Sequence, residues 1–114
     1  MPANILVVED HGDTSFAIRT LLQLEGYEVE EAANGRQALE KLSAGGFNLV
    51  ILDLVLPDIS GYEVARLLRE RHQAVPIIAV SAKDQVDASQ FDDCVPKPFD
   101  TEVLLERVRR QLDP

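Results

Sequence analysis

Acidic residues, a hydroxyl and a lysine follow the apolar segments of this chain, and their types define a possible chemistry. Glu9 and Asp10 follow one apolar run, and Asp53 follows another. Ser81 follows a third run, and Lys97 lies shortly after a fourth, shorter one. Carboxylate oxygens suit Mg²⁺, which keeps several waters and takes few protein ligands. Together with a lysine and a hydroxyl, such a site is suited to holding a phosphoryl group.

These side chains come together if the apolar runs are strands of one parallel sheet. Residues 5–8, 49–52 and 77–80 are apolar without alternation, and residues 94–95 form a shorter run. Such runs are typical of strands buried on both faces of a parallel sheet. The carboxyl ends of parallel strands lie along one edge, where ligands bind. The sequence therefore predicts one site that contains all five side chains.

The predicted cluster of carboxylates carries an electrostatic cost. At about 4 Å and an effective dielectric constant near 20, each like-charged pair costs roughly 4 kcal/mol. The site therefore needs a proton, a cation or both. Lys97 supplies a fixed positive charge, and a bound Mg²⁺ would supply the rest.

The intervals between the apolar runs show the periodicity of helices and of one further strand. Helices are predicted over residues 14–25, from a cap at Asn34 to residue 42, over residues 60–71, and after a cap at Asp100. Residues 27–31 alternate in polarity, which is typical of an edge strand with one solvated face. Right-handed crossovers then favour the strand order 2-1-3-4-5. We expect an α/β, flavodoxin-like three-layer sandwich.

The order of these residues resembles that of the response-regulator receiver domain, the phospho-acceptor half of two-component signalling. The resemblance extends from residue 5 to residue 112, and we expect residues 1–114 to form a single domain. It rests on the following segments: Glu9-Asp10, Asp53-Leu54-Val55-Leu56-Pro57-Asp58-Ile59-Ser60-Gly61, Ser81-Ala82 and Lys97-Pro98-Phe99.

The resemblance implies a mechanism and a set of site residues. Asp53 would accept a phosphoryl group from a histidine kinase or a phosphotransfer protein, and the domain would then switch conformation and signal to a downstream protein or output domain. The chain would not be an enzyme acting on a separate substrate, because it would catalyse only its own phosphoryl transfer and dephosphorylation. The implied contacts to the phosphoryl group come from Lys97, Ser81 and the backbone N–H of Ala82. The implied Mg²⁺-binding groups are Asp10, Asp53 and the backbone carbonyl of Val55 as direct ligands, with Glu9 acting through a water molecule.

Two departures from the family pattern concern the segment that precedes Lys97. Most family members carry an aromatic residue three positions before this lysine, and here that position is Cys94. Only 15 residues separate Ser81 from Lys97, several fewer than usual. We therefore expect the fourth helix to be short or missing, with Phe91 as its main apolar anchor. The usual dimer through that helix should be weak or absent.

Charge and composition restrict the partners. Eleven basic against 20 acidic residues give a formal net charge of −9, which argues against direct nucleic-acid binding by this domain. The apolar runs are too short to span a bilayer, and the first residues lack the features of a signal peptide. A single cysteine fits a reducing compartment. We expect a cytoplasmic domain without membrane contact.

Other interpretations stay open for the site residues and for the chain. Glu9 and Asp10 could cap the first helix, Lys97 could lie on the surface, and a lone loop histidine such as His11 is usually solvated. A pseudo-receiver would keep the fold without phosphorylation, although its usual signature is loss of a site residue, and none is lost. A nucleotide- or flavin-binding enzyme would need a glycine-rich phosphate motif that the chain lacks. A hydrolase with an aspartyl nucleophile would need a substrate-covering segment that we do not find.

Overall fold

The computed structural model describes residues 2–71, 74–82 and 86–113, which form a parallel sheet between two layers of helices. The strands are β1 (Asn4–Val8), β2 (Glu28–Ala32), β3 (Leu49–Asp53), β4 (Ile77–Ser81) and β5 (Asp93–Pro96). The helices are α1 (Gly12–Leu24), α2 (Gly35–Ser43), α3 (Gly61–Glu70) and α4 (Thr101–Leu112), and a 3₁₀ turn covers Ala88–Gln90. Each helix among the described residues is too short or too polar to cross a lipid bilayer.

The sheet has the predicted topology. Its order is β2-β1-β3-β4-β5, and every neighbouring pair is parallel. β2 lies at one edge and alternates between exposed and partly buried side chains before Ala32, as predicted for a strand with one solvated face. β3 and β4 are buried along their whole length. The predicted flavodoxin-like α/β fold is therefore confirmed.

The two faces of the sheet bury separate apolar clusters. Alternate residues of β1 belong to different clusters, because successive side chains of a strand point to opposite faces. Ile5 and Val7 pack with Ile18 of α1 and Leu104 of α4. The other face packs β1 against α2 and α3, and its buried members include Leu6, Val8, Ala38, Leu42, Val64 and Leu68.

Three of the four helices begin at a polar side chain that caps the first turn. Asn34 accepts a hydrogen bond from the Gln37 N–H at 2.9 Å, and Ser60 and Asp100 cap α3 and α4 in the same way. The predicted caps at Asn34 and Asp100 are therefore confirmed. The predicted start of α1 at residue 14 is wrong by two residues. His11 occupies its N-cap position without a side-chain capping bond, so neither Glu9 nor Asp10 is the capping residue.

The described residues between β4 and β5 form a short 3₁₀ turn and no α-helix. The turn covers three residues, Ala88–Gln90, and residues 83–85 lie outside the described part of the chain. Phe91 packs against the cluster on the α2 and α3 side of the sheet. Its ring centroid is 5.4 Å from that of Tyr62 on α3. The prediction of a short or missing fourth helix is confirmed, and Phe91 anchors the shortened segment.

Candidate functional site

The site lies at the carboxyl end of the sheet, where backbone hydrogen bonds hold the loops that follow the strands. Asp53 and Ser81 are the last residues of β3 and β4, one position beyond each apolar run. The Lys97 N–H donates to the Ser81 carbonyl at 2.8 Å, and the Glu9 N–H donates to the Ala32 carbonyl at 3.0 Å. These main-chain hydrogen bonds therefore fix the backbone of Lys97 and of Glu9 against the neighbouring strands.

Lys97 lies between two buried carboxylates. Its Nζ is 2.9 Å from Glu9 Oε2 and 3.0 Å from Asp53 Oδ2. Glu9 and Asp53 are only 4% and 6% exposed, so solvent screens their charges weakly. A side-chain cation thus offsets part of the repulsion that the sequence predicts. The peptide bond that follows this lysine, Lys97–Pro98, is cis.

Burial and pairing change the acidity of this group. Desolvation raises the pKa of Glu9 above its ordinary value, and the hydrogen bond from Lys97 opposes that rise without cancelling it. Desolvation acts to lower the pKa of Lys97, but its hydrogen bonds to Glu9 and Asp53 outweigh it and raise the pKa. Lys97 therefore stays protonated at neutral pH, and one cation is permanently present beside Asp53.

Both carboxylate oxygens of Asp53 accept hydrogen bonds. Oδ2 accepts from Lys97, and Oδ1 accepts from the Val55 N–H at 3.0 Å. Gly61 packs directly against the end of this strand, since a Cβ there would lie 2.5 Å from the Asp53 carbonyl oxygen and 2.7 Å from Leu54 Cα. The first turn of α3 therefore approaches β3 closely enough to limit how Asp53 moves.

Asp10 belongs to a second group of possible ligands next to the first. Among the described residues, ligand atoms of Glu9, Asp10 and His11 all lie within 4.8 Å of one another. The His11 Nδ1 is 3.2 Å from Glu9 Oε1 and 3.3 Å from Asp10 Oδ1. Glu9 links the two groups, because its other oxygen contacts Lys97. Asp53 and Val55 are not members of this group of three.

The remaining predicted site residues, Ser81 and Ala82, lie near Lys97. The Ser81 side chain is buried, and the Ala82 that follows is exposed. A groove between α1 and the loop after β5 contains Ala82 and Lys97. Thr14 and Ala17 of α1 line its opposite wall. Lys97 can therefore be reached from solvent along this groove.

His11 is the residue at this edge that sequence analysis did not assign to the site. Its side chain is 75% exposed, which agrees with the expectation of a solvated histidine. The ring nevertheless contacts both carboxylates that precede it. Its position directly after the acidic pair was the available signal, but adjacency in a loop does not determine where a side chain points.

The fold and the arrangement of acids and lysine define the class of the protein, and the comparison with known sequences gives its family. Residues 5–109 match the family described as the response regulator receiver domain. The chain belongs to this family. It is thus the receiver domain of a response regulator, a component of two-component signalling.

Individual relatives agree with this assignment. The response regulator MprA of Mycolicibacterium vanbaalenii is 40% identical over 118 residues, which cover 98% of this chain and 51% of the relative. The response regulator ArlR of Staphylococcus saprophyticus is 40% identical over 114 residues, which cover 95% and 51%. The chain therefore spans about half the length of the curated relatives it matches.

Solved structures give the same result. The response regulator TrrA of Thermotoga maritima, in complex with Mg²⁺-BeF, superposes with a TM-score of 0.90 at 37% identity, covering 96% of this chain and 99% of that chain. The chemotaxis protein CheY4 of Vibrio cholerae superposes with a TM-score of 0.90 at 31% identity, covering 98% and 100%.

Proposed function

We propose that this receiver domain accepts a phosphoryl group on Asp53 from a histidine kinase or a phosphotransfer protein in a Mg²⁺-dependent reaction. The observation that carries the proposal is the position of Asp53. It is a buried carboxylate at the end of a central strand, and Lys97 and the Val55 N–H hold its two oxygens. A carboxylate fixed in this way presents an oriented nucleophile at low entropic cost.

The donors at this edge fit Mg²⁺. Glu9 and Asp10 offer carboxylate oxygens close together, and a negative group with one compensating lysine has capacity for a divalent cation. We assign Glu9, Asp10, Asp53 and the backbone carbonyl of Val55 as the groups that would hold the ion. When bound, Mg²⁺ supplies charge neutralisation to the transferring phosphoryl group. The TrrA relative, which was solved with Mg²⁺-BeF, supports the proposal of a Mg²⁺ site in this chain.

The transfer step brings the ionised Asp53 carboxylate into line with the phosphoryl donor at the Mg²⁺-binding edge. A new bond forms between an Asp53 oxygen and phosphorus as the bond between phosphorus and the donor histidine nitrogen breaks. The nitrogen keeps the electron pair of that bond. Lys97 is already 3.0 Å from the carboxylate and can contact an oxygen of the incoming group. The Ser81 hydroxyl and the Ala82 N–H are assigned to the remaining phosphoryl oxygens.

Phosphorylation would change the charge balance at the edge of the sheet. The phosphoryl group carries about −1.5 to −2 charge in place of the single negative charge of the carboxylate, so the site gains roughly one negative charge, which competes for Lys97 with Glu9. The domain would then favour one of two arrangements and signal to a downstream protein or an output domain. We propose that residues 1–114 act as one cytoplasmic receiver domain without direct nucleic-acid or membrane binding. It would catalyse only its own phosphoryl transfer and dephosphorylation.

Intact mass measurement tests the proposal. Incubation with acetyl phosphate and Mg²⁺ should add one phosphoryl group to the protein, and EDTA should prevent the addition. The Asp53→Asn variant should remain unmodified under the same conditions. A protein that binds Mg²⁺ and stays unmodified with any phosphodonor would instead be a pseudo-receiver. A phosphoryl yield unchanged by Asp53→Asn would eliminate the assignment of the acceptor.

A further inference from the structure

We propose that His11 adds a nitrogen ligand to the metal-binding edge, so that this receiver domain prefers a first-row transition-metal dication, with Co²⁺ as the probe, over Mg²⁺. The proposal rests on the proposed function for the presence of a metal at Glu9 and Asp10. It goes further by assigning a histidine to the ion and by predicting which class of metal the chain takes.

The spacing of the three ligand atoms carries the proposal. Two ligand atoms at right angles around a metal with bonds of about 2.1–2.2 Å lie roughly 3.0–3.1 Å apart. The His11 Nδ1 is 3.2 Å from Glu9 Oε1 and 3.3 Å from Asp10 Oδ1, which are close to this separation. The Glu9 and Asp10 ligand atoms lie within 4.8 Å of each other, so side-chain rotations that bring them closer would place one cation in contact with all three atoms.

The His11 ring is placed by the carboxylates and not by a helix cap: its Nδ1 is within hydrogen-bond distance of Glu9 Oε1, at 3.2 Å. His11 is the N-cap residue of α1, but its side chain makes no capping hydrogen bond. Its main chain is nevertheless fixed, because its carbonyl accepts the first helical hydrogen bond from the Ser15 N–H at 2.9 Å. The helix thus holds the backbone of His11 in place while Nδ1 faces the two carboxylates, where a cation would take the place of the hydrogen bond to Glu9.

Glu9 directs one carboxylate oxygen towards the position where a cation would bind. Its Oε2 is taken by Lys97, while its Oε1 faces His11. The carboxylate is 3% exposed, so its orientation is set by its surroundings. The ring is 75% exposed, so an ion can reach the group from solvent. One buried oxygen, one partly exposed oxygen and one accessible nitrogen therefore converge from three successive residues.

Ligand chemistry sets the metal preference. Mg²⁺ takes oxygen ligands and gains little from imidazole. Imidazole suits borderline ions, and affinity for a mixed nitrogen and oxygen site rises along the first row from Mn²⁺ towards Cu²⁺. The ratio of Co²⁺ affinity to Mg²⁺ affinity should thus be larger at a site with two carboxylates and one histidine than at a site of carboxylates alone.

Calorimetric titration of the complete chain with Co²⁺ and with Mg²⁺ tests the proposal. His11→Ala should raise the Kd for Co²⁺ by about tenfold or more, and should change the Kd for Mg²⁺ by less than about threefold. In the wild type, Co²⁺ should also produce strongly shifted proton NMR signals from one imidazole ring, and these should be absent in His11→Ala. His72→Ala removes the other histidine of the chain and should leave both affinities and the shifted signals unchanged.

The outcomes separate this proposal from the proposed function. A ratio of Co²⁺ to Mg²⁺ affinity that His11→Ala leaves unchanged would overturn the nitrogen ligand and would mean that the ring only pairs with the carboxylates. Mg²⁺-dependent phosphorylation of Asp53 should be found in the wild type and in His72→Ala whether or not His11 contributes to Co²⁺ binding. Loss of phosphorylation in the wild type would count against the proposed function alone.

Discussion

The balance of charge around Lys97 governs the site at the scale of single residues. Two buried carboxylates share this one ammonium group, at 2.9 Å from Glu9 and 3.0 Å from Asp53. Removal of one partner from a buried ion pair is destabilising because the remaining charge stays desolvated. A divalent cation bound nearby would take over part of the same neutralising role. Lys97 and the metal should therefore substitute for each other in stabilising the fold.

Lys97→Met should destabilise the domain in the absence of metal and make it more dependent on Mg²⁺. Its side chain is 20% exposed, so we expect a loss of about 2 kcal/mol, below the range for fully buried pairs. Urea unfolding in EDTA and in saturating Mg²⁺ measures the effect. Mg²⁺ should stabilise the variant more than the wild type. Equal stabilities of variant and wild type in EDTA would show that Lys97 does not offset the repulsion.

The contact between α3 and β3 controls the position of Asp53 at the scale of secondary structure elements. Gly61 begins α3, and its N–H donates to the Leu54 carbonyl at 3.0 Å. The space beside its Cα is filled by the backbone of Asp53 and Leu54. The helix and the strand end therefore behave as one packed unit.

Gly61→Ala should displace this unit because the new Cβ would meet main-chain atoms that cannot rotate away. Overpacking of this kind costs roughly 1–3 kcal/mol, and the phosphorylation rate at Asp53 should fall with the stability. Gly12→Ala is the matched control, since a Cβ there meets nothing within 4 Å. Thermal unfolding and intact mass report the two effects. A Gly61→Ala protein with wild-type stability would contradict the close approach.

Asp58 connects the loop after β3 to the start of α2. Its Oδ1 accepts from the Gly35 N–H, and its Oδ2 accepts from the Arg36 N–H, each at 2.9 Å. Desolvation acts to raise the pKa of Asp58, but these hydrogen bonds outweigh it and lower the pKa. The carboxylate also complements the positive end of the α2 dipole.

Asp58→Ala should therefore reduce stability in a pH-dependent way. A carboxylate with a lowered folded-state pKa stabilises the fold above its unfolded pKa, and the contribution is lost as pH falls through the folded-state value. The difference in Tm between wild type and variant should be largest at neutral pH and should decrease below about pH 3.9. Glu40→Gln removes a negative charge from the same helix and serves as the control. A gap that does not change with pH would contradict the assigned role.

Much of the fold could be predicted because hydropathy and strand burial coincide in this molecule. The apolar runs correspond to β1, β3 and β4, which are buried on both faces. The exact strand ends could not be predicted in this way, because hydrogen-bond pairing extends β3 to Asp53 and β4 to Ser81 despite their polarity. That the site residues lie together at the carboxyl edge of the sheet could be predicted from the strand topology alone.

The contacts within the site depended on side-chain directions that a sequence does not contain. The bridge from Lys97 to Glu9 joins residues 88 positions apart, and no local pattern marks it. The contact of His11 with both carboxylates depends on the backbone of the α1 N-cap. That the fourth helix would be short or missing could be predicted, since chain length sets an upper limit on a crossover. The 3₁₀ form of the turn at Ala88–Gln90 could not.

The surface of the whole molecule differs from the family pattern where the fourth helix would lie. The described part of that segment is fastened to α3, because Phe91 packs against Tyr62 and the Asp87 N–H donates to the Tyr62 hydroxyl at 3.2 Å. Arg69 of α3 also pairs with Asp92 at 3.0 Å. Few buried groups support this segment, so its local stability should be low.

The domain should therefore stay monomeric before and after phosphorylation. In the described part of that segment, from residue 86 onwards, the usual dimer surface has a 3₁₀ turn and no α-helix. A formal net charge of −9 adds repulsion between copies at low salt. Sedimentation velocity with and without acetyl phosphate and Mg²⁺ measures the association state. Amide exchange over residues 86–93 should be fast and should change on phosphorylation. A phosphorylation-dependent dimer, or slow exchange that phosphorylation leaves unchanged, would contradict this account.

Chemical mapping of the phosphorylated residue tests the central claim most directly. After incubation with acetyl phosphate and Mg²⁺, borohydride reduces an aspartyl phosphate to homoserine, and tandem mass spectrometry of the peptides locates the change. We predict conversion at Asp53 and at no other residue, with none detected after EDTA treatment. Conversion at Asp10, or a phosphorylated protein without conversion at Asp53, would contradict the proposed acceptor.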